Sequence, residues 1–473
     1  MSQMPAALKG ANDQIPLFSS ILVGQDKIEL ENESTVAEVT GKIEFRTSPT
    51  SHVWFSGFAS REKPPMTLLA IMETNYKASV DGLSIGVLGI RSYNELTLSI
   101  EGEIFGEVIY GDKSVDVSII RFRVPNMVEI PGDPIEYFDG TVSLGRHVLD
   151  DGKFIVTMDE VHDFRRGMQE WQKKGGMFLN YACELRKKNG AAISRTEATT
   201  FIEKFDLFLS FLNGRKTASL LLQGMDNDND YPIWSDYTRY AYYQGPNVHI
   251  HSWAQSTFRR RLSSLWRDFS SFFNESTDTS FIRLAVLWYT DSNTNQTDET
   301  SIIVAQTAME LIYNWLVIEK KKLLSGDDAK NITASNKLRL VANSVQFRVD
   351  PKALPILVKM IEDQGQQKDI FEMMVEVRNA LVHSQKVKRE SLEKMPSGAI
   401  RETRRIFLYM VELSLLNIFG YKFRFSSRLI APEMRMLIGM PVPWHQYYER
   451  IMNNLTGNSQ DDELGNLEDS IPD

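Results

Sequence analysis

The hydrophobic pattern of this chain changes its period once, and that change limits the folds available to it. From about Thr35 to Lys188, short runs rich in Val, Ile, Phe and Thr alternate with turn residues, which is typical of antiparallel strands. After Trp253, apolar residues recur almost entirely at helical spacing. Strands followed by helices predict an α+β protein of two domains: a β-rich N-terminal domain and an all-α bundle.

The first region predicts many short strands, which suggests an antiparallel sandwich or a barrel-like sheet. Gly111-Asp112 lies between two apolar runs and predicts a tight hairpin turn. The acidic segment 224–231 lacks the spacing and closing glutamate of a calcium loop, so a hairpin tip is the favoured interpretation. The predicted strands are 36–45, 53–58, 96–100, 104–110, 115–124, 153–158, 177–185, 217–222 and 237–243.

Helix signals first appear at Ser194 and Glu197, whose spacing is that of a capping box. The helix should run to about Leu212, with Gly214 just beyond its end. The polar run 274–279 suggests a β-rich domain over 1–275, a helical domain over 276–456 and a disordered acidic tail over 457–473. Further predicted helices are 255–273, 280–289, 299–324, 334–344, 352–362, 368–383 and 397–419.

Composition limits the classes of protein that the chain can belong to. The single cysteine, Cys183, excludes an internal disulfide framework and a cysteine-based zinc site. The first 13 residues lack the pattern of a signal peptide, and the apolar run 406–419 is too short for a membrane span and contains Glu412. We therefore expect a cytoplasmic protein without a membrane segment. Much of the net charge of −9 lies in the tail, so it does not exclude an RNA partner.

The segment Arg378-Asn379-Ala380-Leu381-Val382-His383 carries the clearest chemical signal. On a helical wheel, Ile370, Met374, Val377 and Leu381 form the predicted buried stripe, and Arg378 flanks it. Asn379 and His383, four residues apart, share the opposite face with Glu372 and Glu376. His383 is therefore expected to be exposed or covered by another subunit.

Two interpretations of this segment compete. It can be a solvated helix face, because an arginine and a histidine at this spacing occur by chance in a chain of this length. Alternatively, His383 serves as general acid or base for a ribose 2′-hydroxyl, Arg378 binds the scissile phosphate and Asn379 orients either group. That chemistry needs no metal, because the 2′-hydroxyl is the nucleophile. A second copy from a twofold-related subunit would complete the acid–base pair.

The same segment resembles the RN-x3-H signature of HEPN domains. Upstream, Leu287–Tyr289 and Ser301–Leu311 resemble the first helices of the ApeA-like HEPN branch, and segments such as Phe208–Gly214 resemble its N-terminal domain. The resemblance implies a helical bundle that dimerises and a metal-independent endoribonuclease without a cofactor. It also implies anti-phage defence by abortive infection, with a phage-derived trigger acting at the N-terminal domain.

Carried over by position, the resemblance makes Arg378 and His383 catalytic and Asn379 supporting. Glu310 falls on the glutamate of the first long helix, where it either orients the arginine or histidine or forms a structural salt bridge. Glu372 and Glu376 conflict with this assignment, because they would repel an RNA backbone unless they face away from the cleft or are offset by cations such as Lys386, Lys388 and Arg389.

Other hypotheses remain open at the level of sequence. The helical half can be a non-catalytic scaffold for RNA binding or dimerisation, and the β-rich domain can be a carbohydrate or peptide binder. Arg259–Arg261 with Trp266 and Arg267 suggest either an RNA-binding patch or a solvated face on a packed helix, and the packed helix is favoured. His249 and His251 alternate as on a strand, but no third metal ligand is evident.

Overall fold

The computed structural model divides the chain into two compact units, Met1–Asn295 and Gln296–Asp473. The described residues are 4–13, 15–31, 36–48, 51–59, 75–80, 83–94, 96–226, 231–241, 245, 250–254, 262–274, 276–294, 297–365, 368–382, 390, 392–430, 439–446 and 448. The first unit is rich in antiparallel strands and the second is mostly helical, as predicted.

The first six strands close into an antiparallel barrel in the order β1-β2-β3-β6-β5-β4. Gly41 on β2 faces Gly57 on β3, and a Cβ on Gly41 would lie 2.3 Å from the Ser56 carbonyl oxygen. Apolar side chains such as Phe55 and Leu88 fill the interior. The strands are β1 Ser20–Glu31, β2 Val36–Arg46, β3 His52–Ala59, β4 Asn75–Val80, β5 Leu83–Asn94 and β6 Ser99–Phe105.

The next eight strands form a second antiparallel sheet in the order β7-β14-β13-β8-β12-β11-β10-β9. Its central strands, β13, β8 and β12, come from distant parts of the chain. The strands are β7 Ile109–Gly111, β8 Ile119–Val124, β9 Asp133–Glu136, β10 Val142–Asp150, β11 Phe154–Glu160, β12 Tyr181–Lys187, β13 Leu220–Met225 and β14 Trp234–Asp236.

Two strand predictions are wrong. The predicted hairpin at Gly111-Asp112 does not form, because β7 pairs with β14 while β8 pairs with β12 and β13. Gly111, with φ +86°, and Asp112, which accepts from the Ser114 N–H, make a local turn only. The strand predicted over 237–243 does not form in its described part, residues 237–241, because β14 ends at Asp236. Residues 242–244 lie outside the described residues. The consecutive strands β13 and β14 do pair, as the predicted hairpin at 224–231 requires.

Among the described residues of the first unit, four helices are longer than one turn, and one of them, α3, packs against several of the other elements. Ser194 caps α3 with the predicted capping box, and Gly214 follows its end with φ +67°. The side chains of Phe205 and Trp266 stack edge to face at 5.7 Å, which joins α3 to α4. The helices are α1 Lys9–Asn12, α2 Phe164–Lys174, α3 Arg195–Asn213, α4 Leu262–Ser271 and α5 Ser276–Thr294.

Helix α5 explains why the division at 295/296 differs from the boundary predicted at 275/276. Asn293 on α5 donates to the carbonyl oxygens of Gly214 and His251, at 2.7 and 2.8 Å. Tyr289 packs edge to face on Phe211 of α3. These contacts hold α5 in the first unit, although its sequence has the helical spacing of the second half.

The second unit packs α6 against α11, with α8, α9 and α10 around them. Helix α6 is Asp298–Ile312, and it continues as π-helix through Tyr313–Lys320. This is the one described helix long and apolar enough to cross a membrane, and 61% of its most apolar window is buried inside the protein. The remaining elements are α7 Gly326–Asn331, α8 Ala334–Ser344, α9 Pro355–Asp363, α10 Ile370–Val382, α11 Ala399–Ile418 and the short strands β15 Arg424–Phe425 and β16 Met440–Pro441.

A buried carboxylate at the end of β11 makes the stability of the first unit depend on pH. Glu160 accepts hydrogen bonds from the hydroxyls of Ser143 (3.0 Å) and Tyr181 (3.2 Å). Burial raises the pKa of Glu160 to about 7. Because the folded pKa lies above the ordinary value, the stabilisation is present below pH ~4.5 and is lost as the pH rises through ~7.

We expect Glu160→Gln to stabilise the first unit by on the order of 2 kcal/mol at pH 8 and to change little at pH 5, because the amide stays neutral. Urea unfolding followed by tryptophan fluorescence at both pH values measures this difference. Glu101→Gln, at an exposed barrel position, is the matched control. Equal effects of Glu160→Gln at the two pH values would contradict the assignment.

Candidate functional site

Helix α10 carries the predicted site at its C-terminal end. Its buried residues are Met373, Met374, Val377 and Ala380. The predicted stripe is therefore correct for Met374 and Val377 and wrong for Ile370 and Leu381, which are half-buried. The helix packs against α6, α8, α9 and α11, so its buried arc is set by several neighbours and not by the most apolar line alone.

Arg378 and Asn379 lie together on this helix, and both are half-buried. The Arg378 Nη1 group donates to the Asn379 side-chain oxygen at 3.1 Å. The Arg378 Nε atom is buried and has no hydrogen-bond partner among the described residues. The guanidinium is thus held by a neutral amide, and within the described part of the chain it makes no ion pair. His383 lies outside the described residues, as do Lys386, Lys388 and Arg389.

The two glutamates that conflict with an RNA site are each paired with a cation. Glu372 lies 3.3 Å from the Arg339 Nη2 atom, and Glu376 lies 2.5 Å from the Lys368 Nζ atom. Arg339 also donates to Asp369 at 2.7 Å. The carboxylates of Asp369 and Glu372 both raise the pKa of Arg339, and Asp369 has the larger effect. Charge on this face of α10 is therefore largely compensated by the protein itself.

These partners could not be identified from the sequence. Arg339 belongs to a separate helix, α8, and Lys368 precedes the first residue of α10. No local spacing rule connects Arg339 to Glu372, because the pair forms only when α8 packs on α10. The cations predicted to offset the glutamates, Lys386, Lys388 and Arg389, lie outside the described residues.

Glu310 forms a salt bridge with Lys337 of α8, with 2.7 Å between Oε2 and Nζ. The Lys337 ammonium also lies 5.4 Å from the centre of the Tyr313 ring, a cation–π distance. Of the two predicted roles for Glu310, the salt bridge is the one for which the structure supplies a partner. Both side chains are partly exposed, so the pair joins α6 to α8 at modest strength.

The other candidates divide between core and surface. Leu262, Leu265, Trp266 and Phe269 of α4 are buried, which matches the favoured packed-helix interpretation, whereas Arg267 is exposed. Arg259–Arg261 and His249 lie outside the described residues. Among the residues that the structure does describe, no group of three His, Cys, Asp or Glu side chains is placed to hold a metal ion.

Comparison with known families places the candidate site within a matched region. Residues 112–248 match the YopA central domain, and residues 275–436 match the YopA C-terminal domain. The chain is similar to YopA over these two domains. No curated protein and no solved structure matches it.

Arg378, Asn379, His383 and Glu310 all lie within the YopA C-terminal match, which begins at α5 and covers most of the helical unit. The YopA central match covers α3 and every strand of the eight-stranded sheet except β7, which ends at Gly111. The barrel strands precede both matched regions. These matches are to YopA domains and do not include a HEPN family.

We expect a double-mutant cycle of Glu310→Gln and Lys337→Met to give a coupling of about 0.5 kcal/mol in the free energy of unfolding of the helical unit, because exposed ion pairs are screened by water. Chemical denaturation at low and high salt measures the coupling, which should fall with salt. Asp327 and Lys330, an exposed pair on α7, provide a reference cycle of the same kind. A coupling that is absent at low salt would contradict the salt bridge.

Proposed function

We propose that this chain is a metal-independent endoribonuclease of the ApeA-like HEPN type. The observation that carries the proposal is the state of Arg378: a half-buried guanidinium, oriented by Asn379 and without an ion pair among the described residues. A cation held in this way is available to bind a phosphate, because no carboxylate among the described residues pairs with it. The biological role that we propose is anti-phage defence by abortive infection in the cytoplasm.

The proposed chemistry uses the ribose 2′-hydroxyl as nucleophile. His383 of one copy removes the proton from this hydroxyl, and the hydroxyl oxygen attacks the adjacent phosphorus. The 5′-oxygen leaves with a proton supplied by His383 of the second copy, giving a 2′,3′-cyclic phosphate and a free 5′-hydroxyl. Arg378 stabilises the negative charge that builds up on the phosphate oxygens. Asn379 fixes Arg378 for this task through the Nη1 hydrogen bond.

Local electrostatics support this site in a chain of negative net charge. Arg339 and Lys368 compensate Glu372 and Glu376, so the helix face need not repel a phosphate backbone. An RNA substrate binds chiefly through its phosphates, and local cations decide that contact. The β-rich unit is proposed to regulate the nuclease and to receive a phage-derived trigger.

The test uses full-length protein and a fluorescently labelled RNA. His383→Ala and Arg378→Ala should each lower the cleavage rate by about 100-fold or more, because each removes a group that acts in the transition state. Arg401→Ala, which removes an exposed arginine of α11 in the same unit, should cleave like wild type. Size-exclusion chromatography with light scattering checks that every variant remains a folded dimer.

Substrate chemistry provides the second arm of this test. An RNA with a single 2′-deoxy position at the cleaved bond should resist cutting at that bond, and a chelator should leave the rate unchanged. Cleavage by His383→Ala at the wild-type rate would refute the proposal. RNA that is bound but not cut by wild type, with Arg378→Ala and His383→Ala both harmless to binding, would instead favour the non-catalytic scaffold.

A further inference from the structure

A cavity of about 270 Å³ lies in the first unit. The central strands of the eight-stranded sheet, β8, β12 and β13, line it on one side. The N-terminal segment around α1 and the start of the barrel line it on the other. Its apolar lining includes Leu8, Ile15, Ile21, Leu221, Met225 and Pro232, and its polar lining includes Lys9, Asp13, Glu184 and Gln223 besides Arg121 and Arg123.

The polar anchor of this cavity is Arg123 on β8. Its Nη2 group donates to the Asp13 carbonyl oxygen at 3.2 Å. Its Nη1 atom is buried and has no hydrogen-bond partner among the described residues. Burial lowers the pKa of Arg123, and the charge of Asp13 offsets only part of this effect. The protein therefore keeps a partly buried positive charge, with one unsatisfied N–H group, beside this cavity.

Arg121, two residues earlier on the same face of β8, provides a comparison, because its side chain is paired with a carboxylate. Its Nε group donates to Glu184 at 2.8 Å, and Glu184 lies directly opposite on β12. The residue opposite Arg123 on β12 is Ala182, which offers no partner. A buried donor such as the Arg123 Nη1 group is costly to leave without a hydrogen bond, so a structural role alone gives no reason to keep Arg123 in this state.

Backbone strain is found at the same place. The register of β13 against β8 shifts between Leu220 and Gln223, and Leu221 within this bulge has φ +56°. The left-handed region is unfavourable for a branched side chain such as leucine. Leu221 and Gln223 both line the cavity. A bulge of this kind redirects side chains, and such strain is commonly retained beside binding sites.

We propose that this cavity binds a small organic carboxylate with an apolar body, whose carboxylate pairs with Arg123. The guanidinium fork suits a carboxylate, and the apolar wall suits a hydrocarbon group. A volume just below that of drug-sized pockets fits a metabolite of modest size. Inorganic phosphate fits less well, because it would place further charged oxygens against the apolar wall.

The test measures the melting temperature of the full-length protein and uses 4-methylpentanoate as the probe. At millimolar concentration and constant ionic strength, the probe should raise the melting temperature by about 3 °C or more. The matched alcohol, 4-methylpentan-1-ol, and inorganic phosphate should have smaller effects. A larger shift with phosphate would overturn the assignment to a carboxylate, as would the absence of any shift across straight-chain carboxylates from acetate to octanoate.

Arg123→Met separates a binding role from a structural one. The variant should lose the shift with 4-methylpentanoate, and without the probe it should melt at or above the wild-type temperature, because a partly buried charge with an unsatisfied N–H group is removed. Arg165→Met, which removes a highly exposed arginine of α2 outside the cavity, should keep the full shift. If Arg123→Met melts well below wild type or keeps the shift, the proposal fails.

Arg123→Lys provides a second variant that retains the charge. It should remain folded and bind 4-methylpentanoate about tenfold more weakly, because the ammonium lacks the planar fork. Titration calorimetry measures this change directly. Binding equal to wild type would show that the fork of Arg123 does not hold the carboxylate.

Discussion

The burial of helix α3 is the constraint on which the β-rich unit depends. Its phenylalanines meet three different elements: Phe205 contacts Phe122 of the sheet, Phe208 contacts Trp266 of α4, and Phe211 contacts Trp253. A fully buried aromatic side chain contributes roughly 1.5–3 kcal/mol, and each aromatic pair adds about 0.5–1.5 kcal/mol. Without α3, the sheet, α4 and the segment around Trp253 would each lose the surface on which they pack.

In the helical unit, two buried carboxylates of α11 connect this helix to other segments of the chain. Glu412 of α11 is completely buried and is paired with Arg428. Glu402, which is also on α11, accepts hydrogen bonds from the backbone N–H groups of Ile356 and Leu357 at 3.0 and 2.9 Å. That contact satisfies the free N–H groups at the start of α9, which has no side-chain cap of its own. Removing either carboxylate would leave buried donors or a buried charge without a partner.

The sequence predicted features that depend on neighbours along the chain. The capping box at Ser194 and Glu197, the end of α3 at Gly214 and the bounds of α8 are local, and the structure matches them. The sequence could not predict which distant strand pairs with β7, or that Lys337 would form a salt bridge with Glu310. The sequence shows Glu412 as a charged residue within an apolar run. Its partner Arg428 becomes a neighbour only when the segment that follows α11 folds back onto this helix. The same limit applies to Arg123, because the sequence does not show that the residue opposite it on β12 is Ala182, whose side chain cannot pair with a guanidinium.

The barrel has a consequence for how copies of this protein can meet. Because β1 pairs with β4 through Glu29–Glu31, the six described strands form a closed ring, which removes the open edges that a flat sheet would offer to another chain. The eight-stranded sheet does end in two edges, but β7 has three residues and β9 has four, including Pro134. Short edges and a proline discourage intermolecular strand pairing. Self-association by strand pairing is thereby disfavoured at these described edges, which leaves side-chain surfaces, whose charge and shape can change one residue at a time, as the means by which the described part of the unit can recognise another protein.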